Sequence, residues 1–121
     1  MTYLYWLLML AVIGGHFFFA YGQWFKWPDL CEKLTDLTGE EIEKTAFLGR
    51  SFSSYNVSVG VGLCLSFWLP VPAQAWVQGV VLALIVFSAA IGAQGTKGNS
   101  ILVMRLVPAA LALVFLILSG T

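Results

Sequence analysis

Four apolar runs, each about as long as a bilayer is thick, take up most of this chain. A hydrocarbon core about 30 Å across requires roughly 20 apolar residues per helical span. Such runs cover residues 3–25, 46–69, 73–94 and 101–119 of 121. Charged residues make up 10% of the sequence and hydrophobic ones 60%, whereas a soluble domain carries about 25% charged residues. The expected fold is therefore an all-α integral membrane domain, a four-transmembrane-helix antiparallel bundle spanning residues 1–121 as one unit. The first run has no positively charged start and exceeds the roughly 7–15 apolar residues of a signal peptide, so it reads as a retained span.

The joints between runs are short. Pro70 and Pro72 stop the second run, since proline in a helix interior removes a backbone donor. "GTKGNS" separates the third run from the fourth. Short connections make sequential helices antiparallel neighbours. The longest connector, 28–45, is polar but patterned. Leu30, Leu34 and Leu37 recur at i, i+4 and i+7, the stripe of a short amphipathic helix expected to lie along the headgroups. Thr38 followed by Glu41 reads as a capping box that starts a new helix near Gly39.

All six acidic residues lie between Asp29 and Glu43, and Lys26, Lys33, Lys44, Arg50, Lys97 and Arg105 lie in or near the first and third loops. Basic residues near span ends favour the cytoplasmic side, and acidic ones count for little. Both termini are accordingly expected outside the plasma (inner) membrane, with the charged loops cytoplasmic. Tyr3, Tyr5, Trp6, Trp68 and Trp76 would mark the outer interface, and Trp24 and Trp27 the inner one. A formal net charge of zero offers no basic footprint for nucleic acid.

Polar side chains within lipid are costly unless they face the bundle interior. At 1.5 Å per residue, His16, Ser54, Tyr55 and Asn56 all fall about 12–15 Å in from the cytoplasmic ends. Ser53 and Ser88 are slightly shallower, and Gln23, Arg50, Gln94 and Arg105 lie nearer the boundary. The outer half is almost purely apolar. His16, Ala20, Gln23 and Trp27 share one face of the first helix. Gly49, Ser53, Asn56 and Gly60 share a face of the second, where small residues let backbones approach closely. Pro108 leaves the carbonyl of Met104 without its usual donor, and Arg105 can satisfy it or snorkel to the headgroups. These positions predict a polar pocket open to the cytoplasm, with His16, Tyr55 and Asn56 as candidate catalytic groups. Gln23, Arg50, Ser53, Ser88 and Arg105 are the candidate ligand-binding groups. A His16–Tyr55 or His16–Asn56 pair could serve as a general acid/base; the competing reading makes His16 an interhelical hydrogen-bonding residue.

Other chemistries find little support. No HExxH, CxxC or paired-His spacing exists, so no metal site is expected, and no cofactor is implied. A Ser-His-Asp arrangement lacks an intramembrane acid. Cys31 and Cys64 sit about 27 Å apart in depth, too far for a disulfide.

The elements His16-x4-Tyr21-x3-Phe25-x-Trp27, Tyr55-Asn56, "SAAIGAQGT" and "ILVMRLVPAALAL" occur in an order that resembles the small bacterial membrane proteins grouped as domain of unknown function thirteen-oh-four. The resemblance covers essentially the whole chain and implies four transmembrane helices without specifying an activity. It implies an acidic residue where Gln23 stands, an Asn-Gln-Gly run in place of Ser51-Phe52-Ser53, and Gln in place of Arg105, so this chain resembles a divergent member.

Three functional expectations follow. The first is binding or transformation of a small lipophilic molecule in the pocket. The second is a small transport or channel subunit, which would be a homo-oligomer because four helices enclose only a narrow conduit. The third is an assembly or accessory membrane protein with no pocket.

Overall fold

The computed structural model describes residues 2–99 and 101–119, with side chains from residue 3 onward. Ser100 of the predicted "GTKGNS" turn and the terminal residues 1, 120 and 121 lie outside the described residues. Every described element is helical: α1 (Thr2–Phe25), α2 (Trp27–Leu34), α3 (Gly39–Lys44), α4 (Ala46–Ser66), α5 (Ala73–Gln94), a π-helical turn (Leu102–Leu106) and α6 (Val107–Leu118). Two helices are long and apolar enough to cross a membrane, over Tyr3–Phe25 and Ala73–Gln94, and Leu102–Leu118 forms a shorter apolar stretch.

The four long helices stand in the cyclic order α4, α1, α6, α5. The α1/α4 seam is the most extensive and the α4/α5 seam the slightest, although those two are joined by a short connection. Side-chain size explains the difference. The buried stripe of α4 is Gly49, Ser53, Asn56, Gly60 and Leu63, and its glycines let α1 come close. A Cβ added to Gly60 would lie 2.9 Å from the Phe17 ring, and one on Gly49 2.5 Å from the Trp27 ring. The outward residues of α4 have no such partner on α5, and the space between the two helices stays open.

Two apolar cores sit at opposite ends. Toward the α4–α5 connection, Met9, Val12 and Ile13 pack on Leu63, Leu82, Ile85, Ala109, Ala112 and Leu116. Toward the charged end, Phe19, Ala89 and Ile101 pack together with Leu30 and Leu34 of α2. So α2 packs against the ends of the long helices, because its leucines have a core to join. Leu37, the third member of the predicted stripe, falls beyond the end of α2. Two links fix α2 in place. The Trp27 indole donates to the Ile42 carbonyl at 3.2 Å and to Thr45 Oγ1 at 3.1 Å. The Lys97 amide donates to the Leu34 carbonyl at 2.7 Å, with Lys97 Nζ 3.4 Å from Asp36 Oδ1. The first and third loops thus meet at one end of the bundle. At the start of α3 the Thr38 amide donates to Glu41 Oε1 at 3.4 Å, in the place the capping box predicts. Thr45 then breaks the helix before α4 begins.

One expectation is overturned in the half away from the charged loops. It holds a buried polar chain: Tyr5 Oη donates to Gln78 Oε1 at 2.6 Å, Gln78 Nε2 to Ser66 Oγ at 3.0 Å, and Ser66 Oγ to the Leu63 carbonyl at 2.6 Å. Tyr5 is therefore tied into the bundle in addition to lying at its edge. Because each member finds its partner on another helix or its own backbone, the chain fits inside an apolar core.

Candidate functional site

The open α4/α5 seam holds a cavity of about 640 Å³. Its base is α2, which contributes Trp27, Leu30, Cys31 and Leu34, with Thr35 at its C-cap; α4 supplies Phe52, Tyr55 and Asn56, and α5 supplies Ser88 and Gly92. Gln23, Ser51, Thr96, Ile101 and Arg105 complete the wall. Tyr55, Ser88 and Arg105 also line an adjoining chamber of about 240 Å³ that contains His16. The anchored α2 lies across the charged end, while the exposed lining residues, Phe52 (47%) and Tyr55 (59%), are on α4. The exposed rim of the cavity thus lies along the flank of α4, with Ser51 beside Phe52 and Tyr55.

His16 is 1% exposed. Its Nδ1 lies 2.8 Å from the Val12 carbonyl, and because a carbonyl only accepts, Nδ1 carries the hydrogen. Nε2 is buried without a partner; in the neutral ring it is a free acceptor beside the smaller chamber. Asn56 Nδ2 donates to Gln23 Oε1 at 2.6 Å across the α1/α4 seam, leaving Asn56 Oδ1 buried and unpartnered. His16 bonds within its own helix and Asn56 bonds to Gln23, so neither of the two candidate acid/base pairs is joined by a direct hydrogen bond. Tyr55 shares the smaller chamber with His16, whereas Asn56 belongs to the larger one.

The other predicted residues divide. Gln23, Ser88 and Arg105 line the larger cavity. Ser53 does not. It is buried in the α1/α4 seam, where Oγ donates to the Ala20 carbonyl at 2.7 Å, because its position on the small-residue stripe turns it toward α1. Arg50 is exposed and outside the lining, because helical phase turns it away from the side of α4 that carries Phe52, Tyr55 and Asn56. Cys31 and Thr35, absent from the sequence-based site, enter it through α2: Cys31 is buried, with Sγ 3.4 Å from Thr35 Oγ1. Their signal was the i, i+4 spacing, masked by reading α2 as a surface helix.

The position of Arg105 has a backbone cause. Pro108 cannot donate to Met104, and the chain answers with a π-helical turn just ahead of it, the Val107 amide bonding to the Leu102 carbonyl. Such one-turn bulges re-aim side chains and cluster at functional sites. Arg105 lies within the turn. It does not satisfy the Met104 carbonyl; instead Gly15 leaves room beside that oxygen, which would sit 3.2 Å from an added Cβ. Arg105 Nε is buried without a hydrogen-bond partner.

Among the described residues no group of three or more His, Cys, Asp or Glu gathers to hold a metal ion. The site is an apolar cavity carrying a few convergent polar atoms, an arrangement suited to fixing the orientation of a small molecule. No curated protein and no solved structure matches the chain. A family model matches residues 9–117, a stretch containing every residue of this site, and the chain belongs to that family, described as Protein of unknown function (DUF1304).

Proposed function

We propose that this protein is a four-helix transmembrane bundle that binds, and through His16 and Tyr55 can transform, a small lipophilic molecule in the cavity between α4 and α5. The observation that carries the reading is the cavity itself. Its 640 Å³ falls inside the range of about 300–1,000 Å³ usual for small-molecule sites. The unpartnered His16 Nε2, Asn56 Oδ1 and Arg105 Nε are groups that a ligand would satisfy, since buried polar atoms are nearly always bonded.

The membrane setting draws support from exposure. Only 33% of the apolar window of α1 and 28% of that of α5 is buried within the protein, whereas a core helix of a soluble protein is mostly covered. The helix α4 has a lower hydropathy because Gly49, Ser53, Asn56 and Gly60 lie on its buried stripe and because Arg50, Ser51, Ser54 and Ser58 are exposed. Ser54 and Ser58 donate to carbonyls of their own helix, and α6 is shortened by the π-helical turn. In this reading both termini are outside, the charged loops are cytoplasmic, and a lipophile enters sideways from the bilayer.

The test is mass spectrometry of small molecules that co-purify from a neutral detergent, comparing the wild type with Gly92→Leu. A Cβ at Gly92 meets only Ile101 Cδ1, at 3.8 Å, so the larger side chain has room to enter the cavity. A stoichiometric lipophile in the wild type, lost in Gly92→Leu, is the expected result. Repeated absence from the wild type would refute the binding reading.

A further inference from the structure

We infer that the molecule bound in this cavity carries an anionic head, a carboxylate or a phosphate on an apolar tail, with the anion against Arg105. The inference rests on the binding reading above and narrows it to a class of ligand. Among the described residues Arg105 is the only Lys, Arg, Asp or Glu in the lining of either chamber. Among the described residues the ion pairs are Lys44–Glu40 and Lys97–Asp36, and Arg105 makes neither an ion pair nor a hydrogen bond. A guanidinium presents five N–H donors in a fixed fork and no acceptor, so what it lacks is acceptors, and an oxyanion supplies two in matching geometry.

The surroundings fix the rest of the ligand. Below Arg105 the wall is Trp27, Leu30, Leu34 and Ile101, apolar surface that a hydrocarbon tail would cover. An inorganic anion would leave that surface unfilled, and a neutral lipophile would leave the guanidinium unpaired. The exposed rim along α4 suits a molecule that already resides in the bilayer. The same chemistry could come from a free fatty acid or from a lipid phosphate headgroup.

Three probes separate these possibilities with the full-length protein in dodecyl maltoside, by native mass spectrometry: oleate, oleyl alcohol and 1-oleoyl lysophosphatidate. Oleate and the alcohol share a tail and differ in charge. Oleate is expected to bind at least about tenfold tighter than the alcohol, the worth of one charge-assisted pair. Arg105→Gln is expected to abolish the difference while alcohol binding stays unchanged, and Arg105→Lys to retain part of it. An Arg105-dependent preference for lysophosphatidate over oleate supports the inference and identifies phosphate as the anion. Equal binding of oleate and alcohol, both lost in Gly92→Leu, overturns the anionic head and leaves the cavity reading standing. If none of the three binds, both fall. The comparison of probes on the wild type decides the matter even if Arg105→Gln does not fold.

Discussion

Gly49 and Gly62 lie on the same helix in opposite circumstances. A Cβ on Gly49 would sit 2.5 Å from the Trp27 ring and 2.7 Å from the Gln23 carbonyl oxygen, whereas one on Gly62 would meet nothing within 4 Å. Gly49→Ala is expected to cost about 1–3 kcal/mol, the range for overpacking. Gly62→Ala should stay within about 0.5 kcal/mol. Reversible unfolding in mixed detergent measures both, and equal effects would contradict the close α1/α4 approach. Interhelical hydrogen bonds in membranes are worth roughly 0.6 kcal/mol each, so Gln78→Leu, which breaks the bonds to Tyr5 and Ser66, should cost about 1 kcal/mol. His16 differs because its one bond stays within α1. His16→Leu keeps most of the volume and removes the free Nε2, so occupancy by the co-purifying lipophile should fall while the melting temperature holds. A lowered melting temperature with full occupancy would assign His16 to packing.

At the scale of elements, the π-helical turn and α2 shape the site. Pro108→Ala restores a donor for the Met104 carbonyl, and helix propensity then favours a regular α-helix. Removing the bulge would rotate the preceding residues by about 100°, one residue's turn, and carry Arg105 away from the cavity. The expected outcome is a more stable protein that retains less ligand, read by thermal melting alongside native mass spectrometry. For α2, Trp27→Phe keeps an aromatic ring and deletes the indole donor to Ile42 and Thr45. Hydrogen exchange should then quicken across Trp27–Leu34 and remain unchanged in α5. Unaltered exchange in α2 would mean that the leucine contacts alone hold it.

For the whole molecule, the sign of the topology is the test. In a Cys31→Ser, Cys64→Ala background, a membrane-impermeant maleimide applied to intact cells should label Val71→Cys. It should label Asn99→Cys only after permeabilisation. The reverse pattern would invert the proposed orientation. At this scale the apolar skin is already explicit in the sequence. Leu7, Leu10, Leu84, Phe87 and Ile117 are all exposed, as expected of residues that fall outside the polar and small-residue faces of their helices.

Helix limits were legible because they depend on local chemistry. Thr38 and Glu41 begin one helix and α5 occupies the apolar run 73–94 end to end, whereas α4 stops at Ser66, short of Pro70 and of the expected limit at residue 69. The stripe Gly49, Ser53, Asn56 and Gly60 was readable from helical phase, and all four are buried. What phase could not supply was the identity of the facing helix. Ser53 and Asn56 share one stripe, yet Ser53 bonds to Ala20 while Asn56 reaches both Gln23 and the cavity. Arg50 lay at the right depth and on the wrong side. Pairing among helices decided those roles, as it decided that α2 closes the cavity and that α4 and α5 stand apart. The sequence by itself determined where each helix runs and which of its faces is small or polar, because backbone geometry repeats every few residues. Only the tertiary structure decided which faces meet, because that depends on side chains far apart in the chain competing for the same space.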